Sequence, residues 1–289
     1  MKIKELYQEN QPQISFEVFP PKKESDAETI MASLDQMTAL KPAFISVTYG
    51  AGGSGNSGKT TEIASAIKNK FGVESLAHLT AITAKKETIA ATLQDLKAHQ
   101  IDNIMALRGD IPVDFTGDPN GDFLYAKDLI AYIKEQGDFC VGAACYPEGH
   151  IDCADLQANY DHLLQKQQAG ADFFVSQLFF DNQQFYRFYE EARKHGVTAP
   201  LIAGIMPILG KSQVQRMIFT CGVSLPSRII RILHQYENDP ESLRQAGIEY
   251  ACEQIEDLYR HGIHQIHVYS MNKPHIAQAA KTKFDQLTK

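Results

Sequence analysis

Ile14-Ser15-Phe16-Glu17-Val18-Phe19-Pro20-Pro21 is a short apolar run with one carboxylate set into it and two prolines closing it. Side chains alternate faces along a strand, so Ser15, Glu17 and Phe19 share one face while Phe16 and Val18 share the other. Proline cannot continue a central ladder, and Pro20-Pro21 therefore fixes the strand's end within a few residues of Glu17. Seven further β-rich runs follow, at 44–49, 75–80, 103–108, 139–146, 173–180, 201–206 and 265–270. Helical patterns separate them, at 26–40, 61–71, 86–99, 123–136, 154–169, 182–195 and 212–220, with further helix over roughly 226–261 in the longest gap. Several of the strands are apolar on both faces, as expected when helices cover a parallel sheet. Eight strands, each followed by helix, predict an α/β protein: a single (β/α)8 TIM barrel domain over residues 1–289, with the extra helix between strands seven and eight. An open doubly wound sheet is the alternative that periodicity leaves standing.

Composition bounds the partners. A net charge of −7 and the lack of a Lys/Arg block argue against a nucleic-acid binder. The start Met1-Lys2-Ile3-Lys4-Glu5 lacks the apolar core of a signal peptide, and no apolar run is long enough to span a bilayer. Cys140, Cys145, Cys153, Cys221 and Cys252 form neither a CxxC pair nor a zinc spacing, so reduced thiols in a cytoplasmic protein without a metal site are expected.

In a barrel the C-terminal ends of the strands carry the chemistry. Here those ends hold Glu17, Thr48-Tyr49, His78, Arg108-Gly109-Asp110, Tyr146-Pro147-Glu148, Gln177 and Asn272. A carboxylate on an apolar strand is costly unless protonated, paired or used; burial raises its pKa, which suits a general acid near neutral pH. The alternative for Glu17 is a structural ion pair with a neighbouring Arg or Lys. Arg108 can grip a phosphate or carboxylate, Gly109 allows close backbone approach, and Asp110 can bond a ring N–H; an internal Arg108–Asp110 pair is the bland reading. His78, read alone, is a core histidine. The segment 114–122, Asp-Phe-Thr-Gly-Asp-Pro-Asn-Gly-Asp, reads as a turn-rich binding loop or lid.

One motif points elsewhere. Gly53-Ser54-Gly55-Asn56-Ser57-Gly58-Lys59-Thr60 matches GxxxxGK[ST] literally, between a strand and a helix, and Asp181 after Leu178-Phe179-Phe180 offers a Walker-B-like partner. A P-loop would need Lys59 on phosphates and Thr60 on magnesium. The loop runs on from Gly50-Ala51-Gly52, longer than that motif's tight turn, and a phosphotransferase leaves the other polar strand ends idle.

Taken together, Ser-Phe-Glu-Val-Phe-Pro-Pro (15–21), Val-Thr-Tyr-Gly-Ala (47–51), His-Leu-Thr (78–80), Ala-Leu-Arg-Gly-Asp (106–110), Tyr-Pro-Glu-Gly-His (146–150) and Gln-Leu-Phe-Phe-Asp (177–181) resemble the methylenetetrahydrofolate reductase family, in its short bacterial form, over nearly the whole chain. That family carries a Gly-rich loop after Thr-Tyr-Gly-Ala, which makes the Walker match accidental. The resemblance implies a barrel that holds FAD noncovalently at its C-terminal face. It also implies a ping-pong reaction in which NADH or NADPH reduces the flavin and 5,10-methylenetetrahydrofolate then takes the same site. The product, 5-methyltetrahydrofolate, supplies methyl groups for methionine synthesis. Members assemble as homo-oligomers.

Residue by residue, the resemblance makes Glu17 the general acid at folate N10 and Asp110 the acidic residue between flavin and pterin. Gln177 becomes a contact shared by folate and nicotinamide, and Gln213 a further one. FAD contacts fall on Thr48, Tyr49, Ala51, His78, Arg108, Gly109, Asp110, Ala126, Tyr146, His150 and Lys166, with Arg108 and Lys166 near the diphosphate. Cys153 is a backbone or packing contact, and Asn159 and His162 stand where relatives contact the adenosine. Lys273 replaces an Arg that touches the folate tail, keeping charge without the bidentate fork. Met217 falls where an aromatic packs against nicotinamide or folate. A third reading, a catalytically silent flavin- or folate-binding subunit, would need a gap at Glu17 or Asp110, and the sequence has neither gap.

Overall fold

Strands buried on both faces must find a ladder partner on either side, and in this computed structural model all eight do. The structure describes residues 1–7, 11–21, 26–49, 57–111, 115–116, 119, 121–153 and 155–289. The strands are β1 (Gln13–Val18), β2 (Ile45–Val47), β3 (Ser75–Thr80), β4 (Asn103–Leu107), β5 (Cys140–Cys145), β6 (Phe173–Ser176), β7 (Leu201–Ile205) and β8 (Gln265–Tyr269). They pair in parallel in sequence order, and β8 returns to β1, closing the barrel. The open doubly wound sheet is thereby excluded.

The helices are α1 (Ala27–Thr38), α2 (Ser57–Ser65, continued by a π turn at Ala66–Lys70), α3 (Lys86–Ala98), α4 (Ala126–Gln136), α5 (Leu156–Gln168), α6 (Asn182–Lys194), α7 (Lys211–Cys221), α8 (Ser227–Gln235), α9 (Pro240–Arg260) and α10 (Pro274–Leu287). The extra helix expected before β8 is thus two helices, α8 and α9, separated by the cap Asp239, whose side chain accepts from Ser242 N. Two elements have no residue range in the pattern above. A 3-10 turn at Ile3–Tyr7 carries the fully buried Ile3, which packs with Phe44, Leu76, Met105 and Phe173. Its backbone N–H donates to Asn103 Oδ1 at 2.8 Å. The second is α10, whose buried Ile276, Ala277, Ala280 and Phe284 follow helical spacing behind Pro274 in the first turn.

Most strands end sooner than their apolar runs suggest. β2 stops at Val47 and β6 at Ser176, so Thr48, Tyr49 and Gln177 lie just past the ladder at the C-terminal rim. The register places Glu17 opposite Ser46 on β2 and opposite Tyr269 on β8. The carboxylate therefore stands between two neighbouring strands whose inward side chains can reach it.

Candidate active site

The C-terminal mouth of the barrel opens into a cavity of about 690 Å³. Glu17, Thr48, Tyr49 and His78 line it, with Arg108, Gly109 and Asp110 from the loop after β4. Tyr146, His150 and Gln177 complete the expected set there. A second cleft of about 340 Å³ shares Arg108, Tyr146 and His150 with it and runs outward past Ala126, Cys153, Asn159, His162 and Lys166. Asn159, His162 and Lys166 are reachable together because α5 presents residues three and four apart on one face. Ala51 and residues 114, 117, 118 and 120 of the 114–122 loop lie outside the described residues.

Glu17 is about one-fifth exposed, and three polar side chains face one of its carboxylate oxygens. Ser46 Oγ donates to Oε2 at 3.3 Å, His78 Nε2 lies 3.5 Å away and His267 Nε2 3.8 Å away. Burial pushes the Glu17 pKa up, but His267, His78 and Ser46 outweigh it and hold the carboxyl below its ordinary value. This corrects the expectation of a raised pKa: the strand is apolar, but the inward faces of its neighbours are not. His78 is pushed down by burial, an effect that Glu17 opposes and His267 reinforces.

His267 was invisible as a site residue in the sequence, and it organises the floor of the cavity. It is 1% exposed, stacked on Phe44 with ring centroids 5.6 Å apart and met edge-on by Tyr269. Its Nδ1 lies 2.8 Å from Ser15 Oγ and its Nε2 3.2 Å from Ser46 Oγ. Ser15 Oγ also lies 3.2 Å from Ile266 O, so its one hydroxyl hydrogen serves one of these two acceptors and Nδ1 can stand as donor or acceptor. Ser46 also has one hydrogen and two acceptors, Glu17 Oε2 and His267 Nε2. When Ser46 donates to Glu17, Nε2 of the imidazole donates to Ser46. When Ser46 donates to Nε2, Glu17 holds the proton and donates to Ser46. In either arrangement the serine hydroxyl links the carboxylate to the imidazole.

The residues of the outer cleft suit an anionic, planar-ended group. Arg108 Nε is buried with no partner, and its Nη1 lies 3.8 Å from Asp152, so the Arg108–Asp110 pair is replaced by a longer contact to another loop. Lys166 Nζ donates to Ala144 O at 2.8 Å and lies over the Tyr146 ring; burial lowers its pKa to about 8. An amine held out of water by apolar walls gains strongly from a bound diphosphate. Gly109 has φ +84°, and a Cβ there would lie 2.9 Å from Ile82 Cγ2 and 3.0 Å from Thr80 Cβ. The backbone after β4 thus presses closely on β3, as Ala81 N to Leu107 O and Ile82 N to Arg108 O bonds confirm.

Other expected contacts are engaged elsewhere in the fold. Asn159 Oδ1 accepts from His150 N at 3.0 Å, which pins the 146–150 loop. Gln177 Oε1 accepts from Leu178 N, leaving its amide NH2 as the group it can offer a ligand. Gln213 lies outside both cavities: its amide accepts from Leu209 N and donates to Pro207 O, holding the loop after β7. Met217, one helical turn on, does line the main cavity. Lys273 is the N-cap of α10 and is not part of either lining. Ser46, His267, Tyr269 and Met206 are the inward residues that sequence reading passed over.

Residues 53–56 of the GxxxxGK[ST] match lie outside the described residues, and the groups that a P-loop would place on magnesium are engaged elsewhere. Thr60 is buried and its hydroxyl donates to Thr48 O at 3.2 Å, while Asp181 caps α6 by accepting from Gln183 N. Among the described residues no group of His, Cys, Asp or Glu side chains forms a metal site, and no helix is long and apolar enough to cross a membrane.

A family profile described as methylenetetrahydrofolate reductase matches residues 2–283. A 5,10-methylenetetrahydrofolate reductase of Pectobacterium carotovorum is 35% identical over 92% of this chain and 88% of its own length. Its Escherichia coli counterpart is 33% identical over 94% and 90%. Methylenetetrahydrofolate reductase (NADH) 1 of Zea mays is 37% identical, but the match spans only 48% of that longer protein. Among solved structures, a Clostridium thermocellum protein described as binding two copies of 5-methyl-5,6,7,8-tetrahydrofolic acid superposes with a TM-score of 0.67 over 96% of both chains; at 12% identity it speaks to the fold alone. With a profile match over nearly its full length and curated relatives above 30% identity, the chain belongs to the methylenetetrahydrofolate reductase family.

Proposed function

We propose that this chain reduces 5,10-methylenetetrahydrofolate to 5-methyltetrahydrofolate, drawing on NADH or NADPH through noncovalently bound FAD, as a homo-oligomer of the cytoplasm. The observation that carries the reading is Glu17 at the floor of a 690 Å³ cavity, in hydrogen-bond reach of a buried serine–histidine chain. FAD, when bound, would supply the hydride carrier that lets nicotinamide and folate use one site in succession. Arg108 and Lys166 would hold its diphosphate, and Asp110, at the exposed edge of the main cavity, would set negative charge beside the ring system.

The chain's own contribution to the folate step is a proton. Glu17 in its protonated state gives it to N10; the bond from N10 to the bridging carbon breaks, and N5 takes up the positive charge as an iminium. Hydride addition to that carbon completes the methyl group. Ser46 Oγ and His267 Nε2, in line behind the carboxylate, offer a hydrogen-bonded path by which Glu17 can regain a proton. Because the carboxyl is held below its ordinary pKa, the folate step depends on the protonated fraction of Glu17 and should quicken as pH falls toward that lowered value. Gln177, with a free amide NH2, suits two successive ligands of different shape. Purified protein given FAD, NADH and 5,10-methylenetetrahydrofolate should accumulate 5-methyltetrahydrofolate by chromatography; flavin-loaded protein that forms none would overturn the proposal.

A further inference from the structure

The β1–β8 ladder ends at Glu17 opposite Tyr269, and the backbone beyond Tyr269 turns away. Met271 and Asn272 both adopt left-handed φ, 55° and 56°, and Lys273 N closes the turn on Ser270 O at 2.9 Å. Two consecutive non-glycine residues in that region are strained, and Asn is the type that tolerates it best. Strain of this kind persists only where the surroundings over-determine it.

What surrounds it is the end of β1. Asn272 Oδ1 accepts from Phe19 N at 2.9 Å and its Nδ2 donates to Phe19 O at 2.8 Å. Ser270 Oγ donates to the carbonyl of Glu17 itself. The amide of Asn272 therefore takes the place of a strand residue, extending the pairing to Phe19 after the backbone has left. Pro20 follows at once and can offer no N–H to any neighbour. On the other flank Thr48 N donates to Val18 O.

We propose that Asn272 is a positioning residue for Glu17, fixing the height and direction of the strand end from which the carboxylate points at its substrate; the inference rests on the general-acid reading above. The barrel does not depend on this clamp, because β1 is already bonded to β2 and β8 along its length, and the two Asn272 bonds lie at the exposed rim. The clamp acts only where Glu17 leaves the ladder.

The test is Asn272→Gly, which accepts the left-handed φ without strain while removing the amide, alongside Asn272→Asp, which keeps the acceptor for Phe19 N. Flavin-loaded protein is followed anaerobically in two steps, bleaching by NADH and reoxidation by 5,10-methylenetetrahydrofolate, across pH. Asn272→Gly should leave bleaching within about twofold while slowing reoxidation by about ten- to a hundredfold, the scale of an ångström-level misplacement. It should also displace the pH profile of reoxidation, with Asn272→Asp in between. Equal slowing of both steps, or reoxidation with unchanged rate and pH profile, would overturn the proposal. Failure of the general-acid reading itself looks different: wild-type reduced protein would not be reoxidised by the folate, or Glu17→Gln would be reoxidised normally.

Discussion

Replacing Glu17 by Gln keeps the shape of the side chain and removes only its proton. Pairing here is made by the backbones of β1, β2 and β8, with Glu17 in register with Ser46 and Tyr269, so β1 does not need the carboxylate to pair. Ser46 can still donate to the amide oxygen, and the net cost to stability should be about 1 kcal/mol or less at neutral pH. That cost has a pH sign. Glu17 is held below its ordinary pKa, so its contribution is present above that ordinary value and lost as pH falls through the lowered one; variant and wild type should converge in acid. The kinetic effect is far larger and confined to one step. General acid catalysis contributes roughly 10²- to 10⁴-fold, about 2.7–5.5 kcal/mol of barrier. Hydride transfer from nicotinamide needs no proton at N10 and should be unchanged within about twofold. Anaerobic stopped-flow absorbance separates the two. Normal folate-driven reoxidation in Glu17→Gln, or equal loss of both steps, would refute the acid assignment.

Further expectations follow from neighbouring residues. Lys166 has a pKa near 8 through burial, so FAD should bind more weakly as pH rises through that value, and Lys166→Ala should cost about ten- to a hundredfold in FAD affinity by fluorescence titration. Gly109→Ala, forced to φ +84° with its Cβ against Ile82 and Thr80, should destabilise by about 1–3 kcal/mol in denaturant and weaken flavin retention. Lys59→Ala should leave turnover unchanged and stability within about 0.5 kcal/mol, whereas a P-loop would lose all activity.

The barrel was legible because its strands are bounded apolar runs alternating with helical periods, and parallel strands need no finer signal. The polar ends of those runs gave the rim of the site: Glu17, His78, Arg108, Tyr146 and Gln177 all meet at one cavity. The buried partners were not legible. His267 and Ser46 sit inside strands whose other residues are apolar, and only barrel closure brings β8 and β2 to either side of β1. That closure also decides the charge state of Glu17, because burial alone pushes its pKa one way and three cross-strand neighbours push it the other. Gln213 and Asn159 show the converse: their amides bond loops of their own chain, a choice that residue type and motif position do not encode. For α10 the signal was present, in Pro274 followed by apolar residues at helical spacing.

The central claim is that one site takes electrons from a nicotinamide and gives them to a folate. Its most direct test is the visible spectrum of the purified, FAD-reconstituted protein, recorded anaerobically through two additions. One equivalent of NADH or NADPH should bleach the flavin band, and one equivalent of 5,10-methylenetetrahydrofolate should restore it with formation of 5-methyltetrahydrofolate. A protein that takes up no flavin, or a reduced flavin that the folate leaves bleached, would contradict the account.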